Sequence, residues 1–137
     1  MKPGAGTISD LVGRADLRYR GTVPRSEEGL PIGNGRMGTL LWTSPSALKM
    51  QVNRVDVYAS GPASASFTTL HSGYGYACAF VDVDFVGHGK DVFDGRTRQH
   101  LGMYHAVFDL QANGVAVEGF AAAERDVFAF RIDDRRT

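Results

Sequence analysis

The chain has 137 residues, of which 43% are hydrophobic, and this is enough for one globular domain with a single core. Its 15 basic and 15 acidic residues give a formal net charge of +0, so neither a nucleic acid nor an anionic membrane is an expected partner. No run approaches the ~18 apolar residues of a membrane span, and the single cysteine excludes an internal disulfide and a cysteine-rich zinc site.

Residues 1–16 are predicted to form an N-terminal extension, and residues 17–137 one β-sandwich domain. The residues after Met1 are rich in glycine and lack the apolar core of a secretory signal. No signal peptide is therefore visible, and the sequence leaves the cellular location unknown.

The segment 30–38 contains three glycines and one proline, which predicts a bent backbone rather than a regular element. Gly33, Gly35 and Gly38 have the spacing of the dinucleotide-binding fingerprint, and Asp56 lies where its ribose-binding acid is expected. That site requires a buried strand before the first glycine and a helix after the last. The preceding residues are charged and no helix of ordinary length fits afterwards, so the sequence disfavours a nucleotide site and predicts no cofactor.

A hairpin is predicted next, with strands at 38–42 and 48–53 around a turn at 44–46. The following segment 59–76 is rich in small residues and aromatics, and a second loop runs from 87 to 97. Such loops on a rigid sandwich either contact carbohydrate or pack onto the sheet. Both alternatives stay open.

Between these loops, alternation places Val81, Val83 and Phe85 inward and leaves Asp82 and Asp84 in solvent. Cys78 stands between alanines, and this indicates a small buried side chain rather than a catalytic thiol.

The last third of the chain predicts a meander of strands. Tyr104, Ala106, Phe108 and Leu110 are expected to line one face of a strand, and Asn113-Gly114 predicts a type I′ turn. Further strands are expected at 115–122 and 127–132, followed by a charged turn at 133–136.

The predicted fold class is therefore all-β, an antiparallel β-sandwich of the supersandwich-like kind. Phe128, Phe130 and Ile132 fill the last predicted strand. Because no strand follows it here, we expect the sandwich to be incomplete and this edge to promote self-association.

No catalytic or metal site is predicted. Glycoside hydrolysis normally needs two carboxyl groups on opposite sides of the scissile bond, and Asp82 and Asp84 project from the same strand face. The four histidines share no metal-ligand spacing, and no Gly-x-Ser-x-Gly elbow is present.

One family resemblance is specific. Residues 29–38 read Gly-Leu-Pro-Ile-Gly-Asn-Gly-Arg-Met-Gly, and residues 48–53 read Leu-Lys-Met-Gln-Val-Asn. This order resembles the start of the N-terminal β-sandwich domain of glycoside hydrolase family 95, the α-L-fucosidase-like enzymes. The chain departs from that pattern at Val52 and Arg54, where the family has leucine and glutamate, which indicates a divergent branch or an uncharacterised sister family.

A looser resemblance covers most of residues 17–137. The family's sandwich precedes a helical barrel that carries the catalytic residues, so the resemblance implies a carbohydrate-active parent enzyme and a non-catalytic chain whose partner is that barrel domain of the same polypeptide. The alternative is a free-standing carbohydrate-binding or structural interaction module.

Closure of the predicted hairpin would bring five polar side chains together, as candidates for substrate binding or for a domain interface. Arg36 would hold a carboxylate through its rigid fork of donors, or it would face the substrate of a neighbouring domain with the others. The candidates are Asn34, Arg36, Asn53, Arg54 and Asp56.

Overall fold

A computed structural model describes residues 6–59, 74–87 and 91–136. These residues contain one short helix, two 3₁₀ turns and nine strands. The helical elements are α1 Ile8–Val12 and the 3₁₀ turns Gly13–Ala15 and Ser26–Glu28. The strands are β1 Leu17–Arg20, β2 Leu30–Gly33, β3 Met37–Thr43, β4 Ala47–Ala59, β5 Tyr74–Asp84, β6 Arg98–Gly102, β7 Val107–Ala112, β8 Val115–Ala121 and β9 Phe128–Asp134.

The strands form two antiparallel sheets that pack face to face. One sheet has the order β1-β6-β7-β8-β9 and the other β2-β3-β4-β5. Strand β2 packs across β6, β7 and β8 of the facing sheet. The fold is an all-β sandwich, which confirms the predicted class.

The core lies between the inner faces of the two sheets. Leu30, Leu41 and Leu48 from the four-stranded sheet and Phe108 and Leu110 from the five-stranded sheet are almost completely buried. Each such side chain contributes about 1.5–3 kcal/mol when it leaves water. The period-2 alternation along each strand supplies these residues to the inner face.

Two predicted hairpin turns are confirmed by the structure. The β3–β4 hairpin turns at residues 44–46, as expected. Asn113 and Gly114 both have positive φ, 40° and 86°, and close the β7–β8 hairpin. These turns fix which residues of β7 and β8 face the core.

The glycine-rich segment is more regular than predicted. Residues Leu30–Gly33 form β2, and only residues 34–36 make the turn into β3. The strand tolerates Pro31 because β2 is the edge of its sheet and a missing backbone donor there breaks no ladder.

Two predicted inward residues were wrong. Tyr104 is exposed and Ala106 has a positive φ of 53°, because the chain turns between β6 and β7 there. Phe108 and Leu110 are buried as predicted. Val81 lies on the inner face opposite Met50, as predicted, and is 41% exposed because β5 is an edge strand of the described sheet.

The predicted burial of Cys78 was also wrong. The register of β4 and β5 shifts between Val52 and Asn53, whose partners are Ala79 and Ala77, and Cys78 between them is exposed at the bulge. The charged turn predicted from residue 133 begins later, since β9 extends through Asp134.

The remaining predictions concern the loops, the last strand and the extension. The predicted loop 59–76 falls mainly on residues 60–73, which lie outside the described residues, as do residues 88–90 of the second loop. Strand β9 is an edge of the described five-stranded sheet, and Ile132 on it is 42% exposed. No helix among the described residues is long and apolar enough to cross a membrane.

Gly119→Ala should lower the free energy of unfolding by about 1–3 kcal/mol. A Cβ atom at Gly119 would overlap the ring of Phe130 on the neighbouring strand. Gly102→Ala is the matched control, because the nearest atom to its added Cβ, Cε1 of His100, is 3.5 Å away. Urea denaturation that finds both variants equally stable would show that the inner face of β8 has room for a methyl group.

Candidate functional site

The side chain of Asn34 holds the turn between β2 and β3 against the loop between β8 and β9. Asn34 Nδ2 donates to the backbone carbonyls of Ala122 and Arg125, each at 3.0 Å. Its Oδ1 accepts from the backbone N–H groups of Arg36 at 3.0 Å and Met37 at 2.9 Å. The amide thus makes all four hydrogen bonds of which it is capable, and it joins the two sheets.

Two arginines share one carboxylate beside this amide. Arg36 Nε donates to both carboxylate oxygens of Asp126, at 3.0 and 3.2 Å, and its terminal nitrogen also contacts Asp126. Arg54 Nη1 donates to Oδ2 of Asp126 at 2.6 Å. Asn34, Arg36, Arg54 and Asp126 are called the inter-sheet clamp below, because Asp126 belongs to one sheet connection and the other three residues to the opposite sheet.

The register of β3 and β4 positions the second arginine. Met37 is paired with Arg54 and Gly38 with Asn53, so the far end of β4 lies beside the turn that carries Arg36. The backbone N–H of Val55 donates to the carbonyl of Arg36 at 3.0 Å. The three-residue turn therefore supplies Arg36, the long strand β4 supplies Arg54, and both side chains donate to the same carboxylate.

The remaining two predicted residues lie at the margin of the clamp. Asp56 accepts from Arg54 at 2.8 and 2.7 Å and is otherwise open to solvent. Asn53 accepts only a long hydrogen bond, 3.4 Å, from Gln51. Residues of β2, β3 and β4 line an open depression of about 590 Å³, among them Pro31 and Val55.

The charges of the clamp set its protonation. Hydrogen bonds from Arg36 lower the pKa of Asp126, and the proximity of Arg54 lowers it further. Arg54 likewise lowers the pKa of Asp56 through its hydrogen bonds. Both carboxyl groups are therefore ionised at neutral pH, whereas a glycosidase general acid needs a raised pKa to keep its proton.

The sequence predicted part of this arrangement. It placed Asn34, Arg36 and Arg54 close together and gave Arg36 a carboxylate to hold, and the structure shows these contacts. It missed Asp126, which is 90 positions from Arg36. Asp126 is one of two acids, with Glu124, in the short connection between two predicted strands, and no local pattern indicates which turn lies opposite.

Comparison with known proteins adds no family. No protein-family model matches the sequence, and no curated protein matches it at a significant level. Within the described ranges, no three His, Cys, Asp or Glu side chains are grouped closely enough to hold a metal ion.

Asn34→Ala should lower the free energy of unfolding by about 1–3 kcal/mol, because the variant leaves partly buried backbone groups without their partner. Asn53→Ala, on the adjacent strand, should change it by less than about 0.5 kcal/mol. Urea melts of both variants measure the difference. Equal effects would show that the amide of Asn34 does not join the sheets in solution.

The clamp should make stability fall at acidic pH. Because the folded pKa of Asp126 lies below its ordinary value of about 3.9, its contribution is complete above that value and is lost as the pH falls through the folded pKa. The double variant Arg36→Gln/Arg54→Gln should therefore lose less stability than the native chain between about pH 5 and pH 2. Urea midpoints across this range measure the difference.

Arg14→Gln, at an exposed position that contacts no carboxylate among the described residues, is the control and should keep the native pH dependence. Asp94, whose pKa the hydrogen bonds from Arg96 lower to about 2, titrates in the same window in every variant. The difference between variants therefore reports on the two carboxylates that the clamp arginines hold, Asp126 and Asp56. Parallel pH curves for the native chain and the double variant would contradict the assignment.

Proposed function

We propose that the chain is a non-catalytic β-sandwich domain of a glycoside hydrolase similar to family 95. Its clamp end would pack against a helical-barrel catalytic domain of the same polypeptide. The clamp end consists of the turn 34–36, the turn 103–106 and the loop 122–127, which lie at one end of the sandwich. The five polar residues predicted from the sequence would belong to that interface or border its substrate.

The observation that carries this proposal is the distribution of exposed apolar side chains. A monomer normally exposes large hydrophobic residues singly, and a collection of them at one place is typical of an interface. At the clamp end they flank a charged network that is already internally paired. The exposed apolar residues at this end are Val55, Met103, Tyr104, Phe120 and Val127.

The backbone connections bring α1 to the same end. Asp16, which follows the helical turns, accepts from the backbone N–H of Met103 at 2.9 Å. Ile8 and Leu11 on α1 are 73% and 65% exposed. The N-terminal extension would therefore add apolar surface to the same interface rather than to the core.

The lowered pKa values of the carboxyl groups in and beside the clamp favour a structural role over a catalytic one. Asp56 and Asp126 are bound by the arginines that line the depression, and these arginines stabilise the ionised form of both. A donor for the leaving sugar oxygen would have to come from elsewhere. The resemblance places that donor in the barrel domain.

The alternative function is a free-standing carbohydrate-binding module. Tyr104 and His105 are packed edge to face, with ring centroids 5.0 Å apart, and Tyr104 and Phe120 are both exposed. Exposed rings can stack on the apolar face of a sugar, while the clamp supplies polar groups. This alternative needs no neighbouring domain.

The isolated chain should not hydrolyse aryl α-L-fucosides or related aryl glycosides at any pH from about 4 to 8, because arginines keep the carboxyl groups of Asp56 and Asp126 ionised and neither can act as a general acid. Release of the aryl leaving group measures turnover. Activity that disappears in Asp56→Asn or Asp126→Asn would contradict the proposal.

The domain role has its own test in protein expressed from the complete reading frame. Phe120→Lys should lower both the glycosidase activity and the melting temperature of that protein, because it places a charge in the proposed interface, whereas Val86→Lys, at an exposed site remote from the clamp end, should change neither. A reading frame without a helical barrel, together with saccharide binding that Tyr104→Ala abolishes, would favour the free-standing module.

A further inference from the structure

The outer face of the five-stranded sheet carries its charges in rows that cross the strands. One row runs through Arg18, His100, Asp109, Glu118 and Arg131, which are paired in register from β1 to β9. Asp109 and Glu118 are directly opposite each other, but each has a basic residue on its other side, His100 and Arg131 respectively. We call this row balanced because every acid and every arginine in it has a neighbour of opposite character.

Contacts within the balanced row agree with this reading. Arg18 donates to Asp16 at 3.0 Å, and His100 lies 2.9 Å from Asp16 and 3.4 Å from Asp109. Arg131 is directly opposite Glu118. Each arginine of this row therefore has an acid beside it.

The next row has a different composition. Arg20 on β1 is directly opposite Arg98 on β6, and the row continues through Gln111, Ala116 and Asp133. Asp133 lies three strands from Arg98, or about 14 Å at ~4.8 Å per strand. It is also already paired with Arg135. Two like charges thus stand side by side with neutral neighbours, an arrangement that costs folding free energy.

Among the described residues, neither Arg20 nor Arg98 has a carboxylate within ion-pair distance. Asp109, the diagonal neighbour of Arg98, is engaged with His100. Both arginines are exposed and line one open depression of about 490 Å³, and Arg98 also borders a second depression of similar size. The surface therefore offers two free guanidinium groups beside an accessible space.

We propose that Arg20 and Arg98 form an oxyanion-binding site that takes a carboxylate or sulfate group. Directly opposite residues on antiparallel strands have Cβ atoms about 5 Å apart, so both guanidinium groups can donate to one bound anion. The anion would relieve the repulsion between them. The amide of Gln111, next in the row, can donate to a further oxygen.

The source of that group would be an acidic saccharide, and this part of the inference rests on the proposed carbohydrate-active function. A uronate carboxylate or a sulfate ester presents the required oxygens while its ring lies along the sheet face. The site is separate from the inter-sheet clamp, because the Arg20–Arg98 row lies toward the end of the sheet that holds the Asn113 turn.

The test is a titration of the isolated chain with sodium sulfate at constant ionic strength, read from backbone amide chemical shifts and from the melting temperature. The native chain should show saturable shifts at β1 and β6 and a rise in melting temperature. Arg98→Gln should bind sulfate about tenfold more weakly, because one of two charge-assisted contacts is lost. In chloride alone it should be at least as stable as the native chain, since the like-charge pair is gone.

Arg131→Gln is the matched control, an exposed arginine on the same sheet face that is opposite an acid, and it should bind sulfate like the native chain. Asp109→Asn should bind sulfate more tightly than the native chain, because it removes the negative charge diagonal to Arg98. Equal responses in all four proteins would overturn the site, because they would show a nonspecific salt effect.

A second titration identifies the source of the anion. A trisaccharide that contains uronic acid should bind more tightly than inorganic sulfate, and a neutral trisaccharide should not bind at this row. If sulfate binds and the acidic saccharide is no better, the oxyanion site stands and the saccharide ligand is rejected. These readouts need no catalytic domain, so they are independent of the activity tests of the proposed function.

Discussion

The amide of Asn34 is the constraint on which the arrangement of the two sheets depends at the clamp end. Its four hydrogen bonds join the β2–β3 turn to the loop between β8 and β9. A hydrocarbon core is not directional and tolerates sliding of one sheet over another, whereas an amide with all four groups satisfied allows one geometry. Arg36 and Arg54 can converge on Asp126 because this contact has already fixed the distance between the sheets.

The same contacts that hold the sheets together restrict what the site can do. A carboxylate shared by two arginines keeps its charge and cannot donate a proton near neutral pH. What the clamp end can offer is a rigid surface, with exposed apolar side chains such as Tyr104 and Phe120 around a paired charge cluster. Rigidity and apolar exposure suit an interface, and this is why we propose a supporting role for the domain.

Among the described residues, the outer face of the five-stranded sheet carries arginines that are paired with acids and arginines that are not. Arg18 and Arg131 stand beside acids and serve the solubility and register of the sheet. Arg20 and Arg98 stand beside each other, which folding alone does not favour. A position that breaks the local rule without an evident structural gain is where a functional contact is expected.

The sequence by itself determined the elements whose cause is local. Alternation with period 2 predicted the all-β class and the burial of Phe108 and Leu110, and the positive φ that Asn113 and Gly114 tolerate predicted their hairpin. It also grouped Asn34, Arg36 and Arg54, because one hairpin carries all three. Tertiary structure alone decided that Asp126 completes the clamp and that Cys78 lies at an exposed bulge. These outcomes depend on how two sheets pack and where a sheet ends, and residues some 90 positions apart carry no local pattern that records such a meeting.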